Sequence, residues 1–252
     1  MAPDPDGRFG PRISKFYYNE FLLPAVLPHE LQHAISYNQH VFVNGGAPEE
    51  AWLNEGMSHL IEDIMGHGSS NATRYSMFLA NPSHTPLVSE GSPNLSQRGA
   101  AYLFLRFLYE QSGDRSAFLR RLVDTNKNGI DNVEHAFDGS DPNFDQFSEF
   151  MGRWSVALAM TDRGISSDPR YTYESQTPDP ETGNWKGVRI SGEANNGRGT
   201  TLHGVHLNDL SSSGSAELVA SSAKYFGIET VPTWMQIDAS NSNDYAILIR
   251  TE

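Results

Sequence analysis

Apolar positions recur at helical spacing through the first 160 residues of this 252-residue chain. A period of three to four residues is typical of helices that bury one face. The stretch 97–111 is apolar nearly all round, which predicts a buried helix that ends at a glycine C-cap, Gly113. Residues 13–18 are expected to be extended. The pattern predicts further helices around 29–33 and at 49–65, 116–123 and 144–160.

Beyond residue 160 the pattern changes twice. Residues 161–187 are polar and contain three prolines, which predicts a linker or long loop. From residue 188, apolar and polar positions alternate in short runs between Gly, Ser and Asn turns, as they do in β-strands. The sequence therefore predicts an α+β fold, with a mainly helical domain at 1–162, a linker or long loop at 163–187 and a small antiparallel β unit at 188–252.

The composition is that of a folded chain with an acidic balance. Hydrophobic residues make up 38% and aromatic residues 11%, enough to bury a sizeable core. The absence of cysteine excludes disulfides and thiolate zinc ligands. A net charge of −13 argues against nucleic acid or an anionic membrane as partner and favours secretion. No membrane span and no signal peptide is visible, so we expect that an export signal was removed, lies upstream or never existed.

The candidate chemistry centres on the run His-Glu-Leu-Gln-His at 29–33. On a helix, His29 and His33 differ by about 400° of rotation and about 6 Å of rise, so both imidazoles leave one face and can bind one metal ion. Glu30 is turned by about 100° from His29, so it lies beside the metal and can take a proton from a bound water. This pattern predicts a metal-activated water directed at a carbonyl group.

A third ligand is expected from the run Trp-Leu-Asn-Glu-Gly at 52–56. A catalytic zinc site uses three protein ligands and leaves one position for water, and Glu55 is the natural third ligand. The Asn-Gly-Gly turn at 44–46 reverses the chain, so that the two helices can face each other. If Glu55 does not bind the metal, the next candidates are Glu62, Glu49 and Glu50.

Three neighbouring residues are interpreted from spacing. His59, one turn after Glu55, is a candidate to hydrogen-bond a zinc ligand, and the alternative is a surface helix histidine. A longer metal motif would need a third histidine one position before His40. A shift of one residue turns the side chain by about 100° around a helix, which favours a surface histidine at this position. Pro28 directly precedes His29, which predicts that the metal helix begins late, with proline in its first turn.

Two other runs have a spacing similar to that of metal-binding motifs, but we interpret them differently. The run Asp-Thr-Asn-Lys-Asn-Gly at 124–129 begins like a calcium loop, but its twelfth position is His135 and not glutamate. We therefore expect a turn that caps a helix starting near Asn132. His203 and His206 are three apart in a predicted strand, so they should face opposite sides and not share a metal.

The motif runs resemble the gluzincin metallopeptidases, and in detail the hyicolysin family of secreted bacterial zinc peptidases. The resemblance covers roughly residues 17–160 and implies a zincin-like catalytic domain with Zn²⁺ bound by His29, His33 and Glu55 and with Glu30 as general base. The residue that steadies the tetrahedral oxyanion is not identified by it, although Tyr75, His84, Tyr102 and Tyr109 are candidates by chemistry. The runs that carry the resemblance are 29–39, 52–63, 101–109 and 129–134.

The expected function is that of a secreted zinc endopeptidase acting on protein or peptide substrates. A zinc aminopeptidase would share the helices but needs an acidic anchor for the free amine of the substrate, and no typical anchor precedes His29. A catalytically inactive binding module is the third hypothesis. Because 28 residues precede His29, too few for a multistranded substrate-binding sheet, we also expect part of an N-terminal sheet to be missing.

Overall fold

A computed structural model of the chain describes residues 3–139, 141–210, 217–228, 236, 238, 244 and 246–250. The described part is mainly helical with short strand pairs, which confirms the α+β class. None of its helices is long and apolar enough to cross a membrane. The helices are α1 Lys15–Tyr17, α2 Leu23–Tyr37, α3 Ala51–Ile64, α4 Asn71–Ala80, α5 Leu95–Gln111, α6 Arg115–Val123, α7 Gly129–Ala136 and α8 Phe147–Met160.

Four helices form the centre of the molecule. Helix α2 packs against α3, α3 packs against α5, and α5 packs against α4. Two glycines allow this close packing. A methyl group at Gly56 in α3 would lie 3.0 Å from the Cβ of Ala101 in α5, and one at Gly99 in α5 would lie 2.5 Å from the backbone nitrogen of Tyr75 in α4. The three helices α3, α4 and α5 therefore meet at backbone-contact distance.

The hydrophobic core is built around α5 and continues into the C-terminal segments. Trp154 Nε1 donates to the hydroxyl of Tyr173 at 2.8 Å, and that hydroxyl donates to the carbonyl of Leu103 at 2.7 Å. Tyr173 lies in the predicted linker, so this part of the chain is packed against the helices. Val188 and Leu202, which follow the predicted linker, belong to the same buried cluster as the helical residues.

The helical run that contains α2 begins earlier than predicted. In the stretch 13–18, which was expected to be extended, Ile13 forms an isolated bridge with Asp4 and the helix starts at Lys15. A π-helical stretch, Tyr18–Leu22, leads into α2. Pro28 consequently lies inside α2, and the prediction that it stands in the first turn was wrong. The loss of one backbone donor at proline is tolerated because helical turns are formed on both sides of it.

Two helix ends also differ from the prediction. Helix α5 ends before Ser112, whose backbone is extended and whose hydroxyl donates to the carbonyl of Leu108 at 2.8 Å, so Gly113 is not its C-cap. The serine hydroxyl satisfies a carbonyl that a glycine cap would otherwise serve. Helix α7 begins at Gly129, earlier than Asn132, because the backbone N–H of Gly129 is held by Glu49 Oε1 at 2.7 Å.

Within the described residues the strands form three separate pairs. The first pair is antiparallel and lies inside the predicted linker, where no strand was expected. In the predicted β unit one pair is antiparallel, as predicted, and the other is parallel, so for that pair the prediction was wrong. Parallel pairing needs a crossover of about a dozen residues, and the connection 210–224 is long enough to supply it. Part of the predicted β unit, including residues 229–235, lies outside the described residues. The pairs are β1 Thr177–Pro178 with β2 Trp185–Lys186, β3 Ser191–Glu193 with β4 Thr201–His203, and β5 Leu207–Asp209 with β6 Tyr225–Gly227.

Candidate metal centre

The packing of α2 on α3 brings His29, His33 and Glu55 together. The two imidazole centroids are 4.8 Å apart. His29 Nε2 lies 3.6 Å from Glu55 Oε2, and His33 Nε2 lies 4.0 Å from Glu55 Oε1. Ligand atoms around a tetrahedral zinc ion lie about 3.3 Å from one another, since each is about 2.0–2.1 Å from the metal. The three side chains are therefore slightly wider apart than zinc ligands and can close on an ion by small rotations.

Glu62 lies behind His29 and His59 and contacts the Nδ1 atom of each. Its Oε1 lies 2.7 Å from His29 Nδ1 and 3.1 Å from His59 Nδ1. Burial alone would raise the pKa of Glu62, but the hydrogen bonds from His29 and His59 hold it below its ordinary value. Because an ionised carboxylate can only accept, each imidazole meets Glu62 through Nδ1, and Nε2 is the ring nitrogen that remains for a metal ion. A carboxylate behind a histidine is typical of zinc sites.

His59 is fully buried, so the interpretation as a surface histidine was wrong. His29, His59 and Glu62 also form a second group whose nitrogen and oxygen atoms are close enough to suggest a metal. Their contacts of 2.7 and 3.1 Å are shorter than the separation of about 3.3 Å expected between zinc ligands. We therefore interpret this second group as a hydrogen-bonded support for the first.

His33 is oriented by a neighbour that the sequence analysis did not identify. Ser58 Oγ lies 3.2 Å from His33 Nδ1 and donates to Gln32 Oε1 at 2.6 Å. With the serine proton directed to Gln32, its oxygen can accept a hydrogen bond from His33 Nδ1, the nearer of the two ring nitrogens, and Nε2 then remains for a metal ion. The position of Ser58, three residues after Glu55 on the same helix, was a sequence signal for this contact.

The centre of this group contains buried atoms without an aligned hydrogen-bond partner. Glu55 Oε2 and His59 Nε2 are buried and have no aligned hydrogen-bond partner within the described part of the chain. They lie 3.9 Å apart, and His29 Nε2 faces the same carboxylate. Buried polar atoms without a partner are costly. A cation held by His29, His33 and Glu55 would satisfy the carboxylate, and a set of imidazole nitrogens with one carboxylate suits zinc.

Two further charged residues, Glu30 and Arg98, adjoin this group in sequence or in space. The side chain of Glu30, next to His29 in the sequence, is exposed on α2 and makes no hydrogen bond with any described residue. Arg98, in the first two turns of α5, places Nη1 3.0 Å from Glu55 Oε2. This contact is close enough for an ion pair, but it lacks the alignment of a hydrogen bond.

The three alternative carboxylate ligands, Glu49, Glu50 and Glu62, make other contacts. Glu49 Oε1 accepts from the backbone of Gly129 and Oε2 accepts from Asn132 at 2.5 Å, far along the chain from the histidines. Glu50 accepts from the indole of Trp52 at 2.8 Å. Glu62 contacts both His29 and His59 as a hydrogen-bond acceptor.

His40 is also placed differently from the prediction. It is fully buried, with Nε2 3.1 Å from the carbonyl of Leu122, so the interpretation as a surface histidine was wrong. His40 belongs to a π-helical stretch, Asn38–Val43, whose wider turn shifts side chains away from the positions that an α-helix would give. It lies 3.9 Å from Glu49 Oε2 and outside the group around Glu55.

The four side chains proposed for the oxyanion lie outside this group. Tyr75 and Tyr102 are buried in the core with their rings stacked 6.0 Å apart, and burial raises the pKa of each. Tyr109 packs beside the guanidinium of Arg115. His84 Nδ1 contacts Ser83 and Asn81.

His203 and His206 also stand apart from the convergent groups. Among the described residues, the groups of three or more side chains that could hold a metal are His29 with His59 and Glu62, and His29 with His33 and Glu55. Both groups lie at the contact between α2 and α3. No protein-family model matches the chain, and no curated protein matches it.

Proposed function

We propose that this protein is a zinc-dependent peptidase with a zincin-like arrangement of α2 and α3. His29, His33 and Glu55 would bind Zn²⁺, and Glu30 would act as general base. The observation that carries this proposal is the convergence of His29 Nε2 and His33 Nε2 on the Glu55 carboxylate, whose buried Oε2 has no aligned hydrogen-bond partner among the described residues. Glu62 and Ser58 contact the Nδ1 atoms of the two histidines, so that Nε2 of each is the nitrogen that would bind the metal.

Zinc in such a site lowers the pKa of a bound water and polarises a carbonyl group. Glu30 then takes a proton from the water that adds to the carbonyl carbon of a peptide bond. When the carbon–nitrogen bond breaks, Glu30 delivers that proton to the leaving amine. The exposed and unpaired state of Glu30, next in sequence to the ligand His29, supports this role.

We further propose an extracellular endopeptidase as the form of this activity. Glu30 and the partly exposed His33 are accessible from the surface, as access by a protein substrate requires. The net charge of −13 and the absence of cysteine are compatible with export.

Hydrolysis of casein and of peptides blocked at both ends tests the proposal. The zinc-loaded protein should cleave both, lose the activity to a chelator and regain it with zinc, whereas an aminopeptidase would spare the blocked peptides. Glu30→Gln should lower kcat by about 10²–10⁴-fold, because it removes the proton carrier. Glu20→Gln, which neutralises another exposed glutamate of the same helical run, is the matched control and should leave kcat unchanged. Full activity of Glu30→Gln, or no hydrolysis by zinc-loaded wild type, would contradict the proposal.

A further inference from the structure

The hydrogen-bond donors of Arg98 are only partly paired, whereas an arginine that stabilises the fold pairs its donors with acceptors. Arg98 Nε donates to the carbonyl of Pro93 at 3.1 Å, which holds the side chain at the start of α5. Its Nη1 lies 3.0 Å from Glu55 Oε2 without hydrogen-bond alignment. By contrast, Arg106 in the same helix donates from Nε to Glu110 and from Nη1 to Asp63. The two Nη groups of Arg98 thus have no aligned acceptor among the described residues.

The position of Arg98 places these free donors at the candidate metal centre. The side chain is 27% exposed, so its guanidinium faces both Glu55 and solvent. Arg74, a second cation nearby, donates to Ser70 and Asn71, and its unpaired Nε is buried. Of these two arginines, Arg98 is the one whose guanidinium forms an ion-pair contact with Glu55 while remaining partly exposed.

We propose that Arg98 is a catalytic residue that donates hydrogen bonds to the substrate carbonyl oxygen as negative charge develops on it. This inference rests on the proposed peptidase function. When water adds to the carbonyl carbon, the electron pair of the carbonyl bond moves to the oxygen and returns when the carbon–nitrogen bond breaks. A guanidinium with unfilled donors stabilises that charge more than it stabilises the neutral ground state. None of the tyrosines and histidines considered for this role from the sequence lies in the group around Glu55.

A catalytic role of Arg98 can be distinguished by experiment from a role in which Arg98 only positions Glu55. If Arg98 held Glu55 for the metal, its removal would weaken zinc binding. If Arg98 serves the oxyanion, its removal takes a positive charge away from a cation site, so zinc should bind equally well or more tightly. The two roles therefore predict opposite changes in zinc affinity.

The test compares Arg98→Gln and Arg98→Lys with the control Arg115→Gln, which removes an arginine that pairs with Glu174 at the surface. In Arg98→Gln, kcat should fall by about 10²–10³-fold with a small change in KM, because one oxyanion donor is lost. Zinc affinity, measured by competition with a chelator, should not weaken. Arg98→Lys should recover part of kcat, and Arg115→Gln should match wild type.

A second readout does not depend on turnover. A peptide phosphonamidate, whose anionic tetrahedral group mimics the charged intermediate, should bind Arg98→Gln more weakly by a factor similar to the loss in kcat, while a neutral peptide amide binds unchanged. Unchanged kcat and phosphonamidate affinity in an active background would overturn the role of Arg98 alone. Loss of zinc affinity in parallel with kcat would assign Arg98 to positioning and also overturn it. A zinc-loaded wild type without hydrolysis would overturn the proposed function and this inference with it.

Discussion

Helix α3 carries two regions of buried charge that are built in opposite ways. At its C-terminal end, Asp63 accepts from Arg106 Nη1 at 2.7 Å and from the backbone of Gly187 at 3.0 and 3.2 Å. Arg106 in turn donates to Glu110 at 2.6 Å. Every charge in this cluster meets an opposite charge or a donor, and the cluster ties α3, α5 and the segment after β2 together.

Around Glu55, earlier on the same helix, the groups remain incomplete. Ring nitrogens of His29 and His59 face the Glu55 carboxylate, and the nearby guanidinium of Arg98 is not aligned with it for a hydrogen bond. Buried polar groups in folded proteins are normally satisfied, so the unpaired atoms around Glu55 support the proposed cation site. The comparison separates a cluster around Asp63 whose charges are paired within the fold from a cluster around Glu55 that we propose binds a cation.

The largest effect on folding is expected at the complete cluster. Asp63→Asn removes the charge opposite Arg106 and should lower the free energy of unfolding by about 3–5 kcal/mol, because it leaves a buried guanidinium incompletely paired. Denaturant unfolding measures this change. The control Asp168→Asn breaks the exposed pair with Arg170 and should cost far less, because exposed ion pairs contribute little to stability. Equal losses in the two variants would remove the distinction between a buried structural pair and a surface pair.

The incomplete cluster around Glu55 should contribute little to the stability of the metal-free protein. Glu55→Gln should change the unfolding free energy of the metal-free protein by less than about 1 kcal/mol, because the lost Arg98 contact is partly exposed and a repulsion is relieved. Zinc at about a thousand times its Kd should stabilise wild type by about 4 kcal/mol and leave the variant unchanged. Thermal unfolding with and without zinc measures both effects. A large loss in metal-free Glu55→Gln would mean that Glu55 is a structural residue.

A smaller effect is expected from the carboxylate behind the histidines. Glu62→Gln keeps an acceptor for one imidazole but loses its charge, so zinc affinity should fall by about 10–100-fold. Chelator competition measures the affinity. The control Glu110→Gln alters a buried glutamate of the complete cluster and should leave zinc affinity unchanged. If the two variants bind zinc equally well, the hydrogen bonds of Glu62 do not support the site.

The last prediction concerns the pH dependence of stability and Glu49, a buried carboxylate held by neutral donors. Burial raises its pKa to about 7, against the hydrogen bonds from Gly129 and Asn132. The folded state therefore holds a proton that the unfolded state releases at lower pH. The stabilisation is complete below the ordinary glutamate pKa of 4.5 and is lost as the pH rises to about 7.

The measurement is the unfolding free energy of wild type and of Glu49→Gln across this pH range. Glu49 cannot contribute more than about 1.4 kcal/mol per pH unit to the slope of the unfolding free energy against pH. The difference between the two proteins isolates it from other groups, including Glu110, whose pKa burial also raises to about 7. Parallel stability curves for the two proteins would contradict the elevated pKa of Glu49.

The sequence predicted what depends on local periodicity. The spacing of His29 and His33 puts both on one helical face, and the turn at 44–46, where Gly45 has a φ of +66°, lets α3 return against α2. Glu55 follows from the need for a third ligand. The roles of Glu62 and Arg98 depend on how α3 meets α2 and α5, which spacing within one helix cannot specify.

Departures from α-helical geometry account for another part of what the sequence did not reveal. The π-helical stretch Asn38–Val43 carries His40 into the interior, and periodicity at 100° per residue cannot anticipate such a stretch. The helix ends at Ser112 and Gly129 depend on contacts with a side-chain hydroxyl and with the distant Glu49. Such contacts form only once the helices are packed.

Zinc stoichiometry and affinity in wild type, Glu30→Gln and Glu55→Ala test the central claim most directly. Because Glu30 is assigned to proton transfer and Glu55 to the metal, wild type and Glu30→Gln should each hold about one zinc ion per chain with similar resistance to a chelator, while Glu55→Ala should hold little. Stoichiometric zinc in Glu55→Ala at wild-type affinity, or no zinc in wild type after loading, would contradict the assignment of His29, His33 and Glu55 as a zinc site.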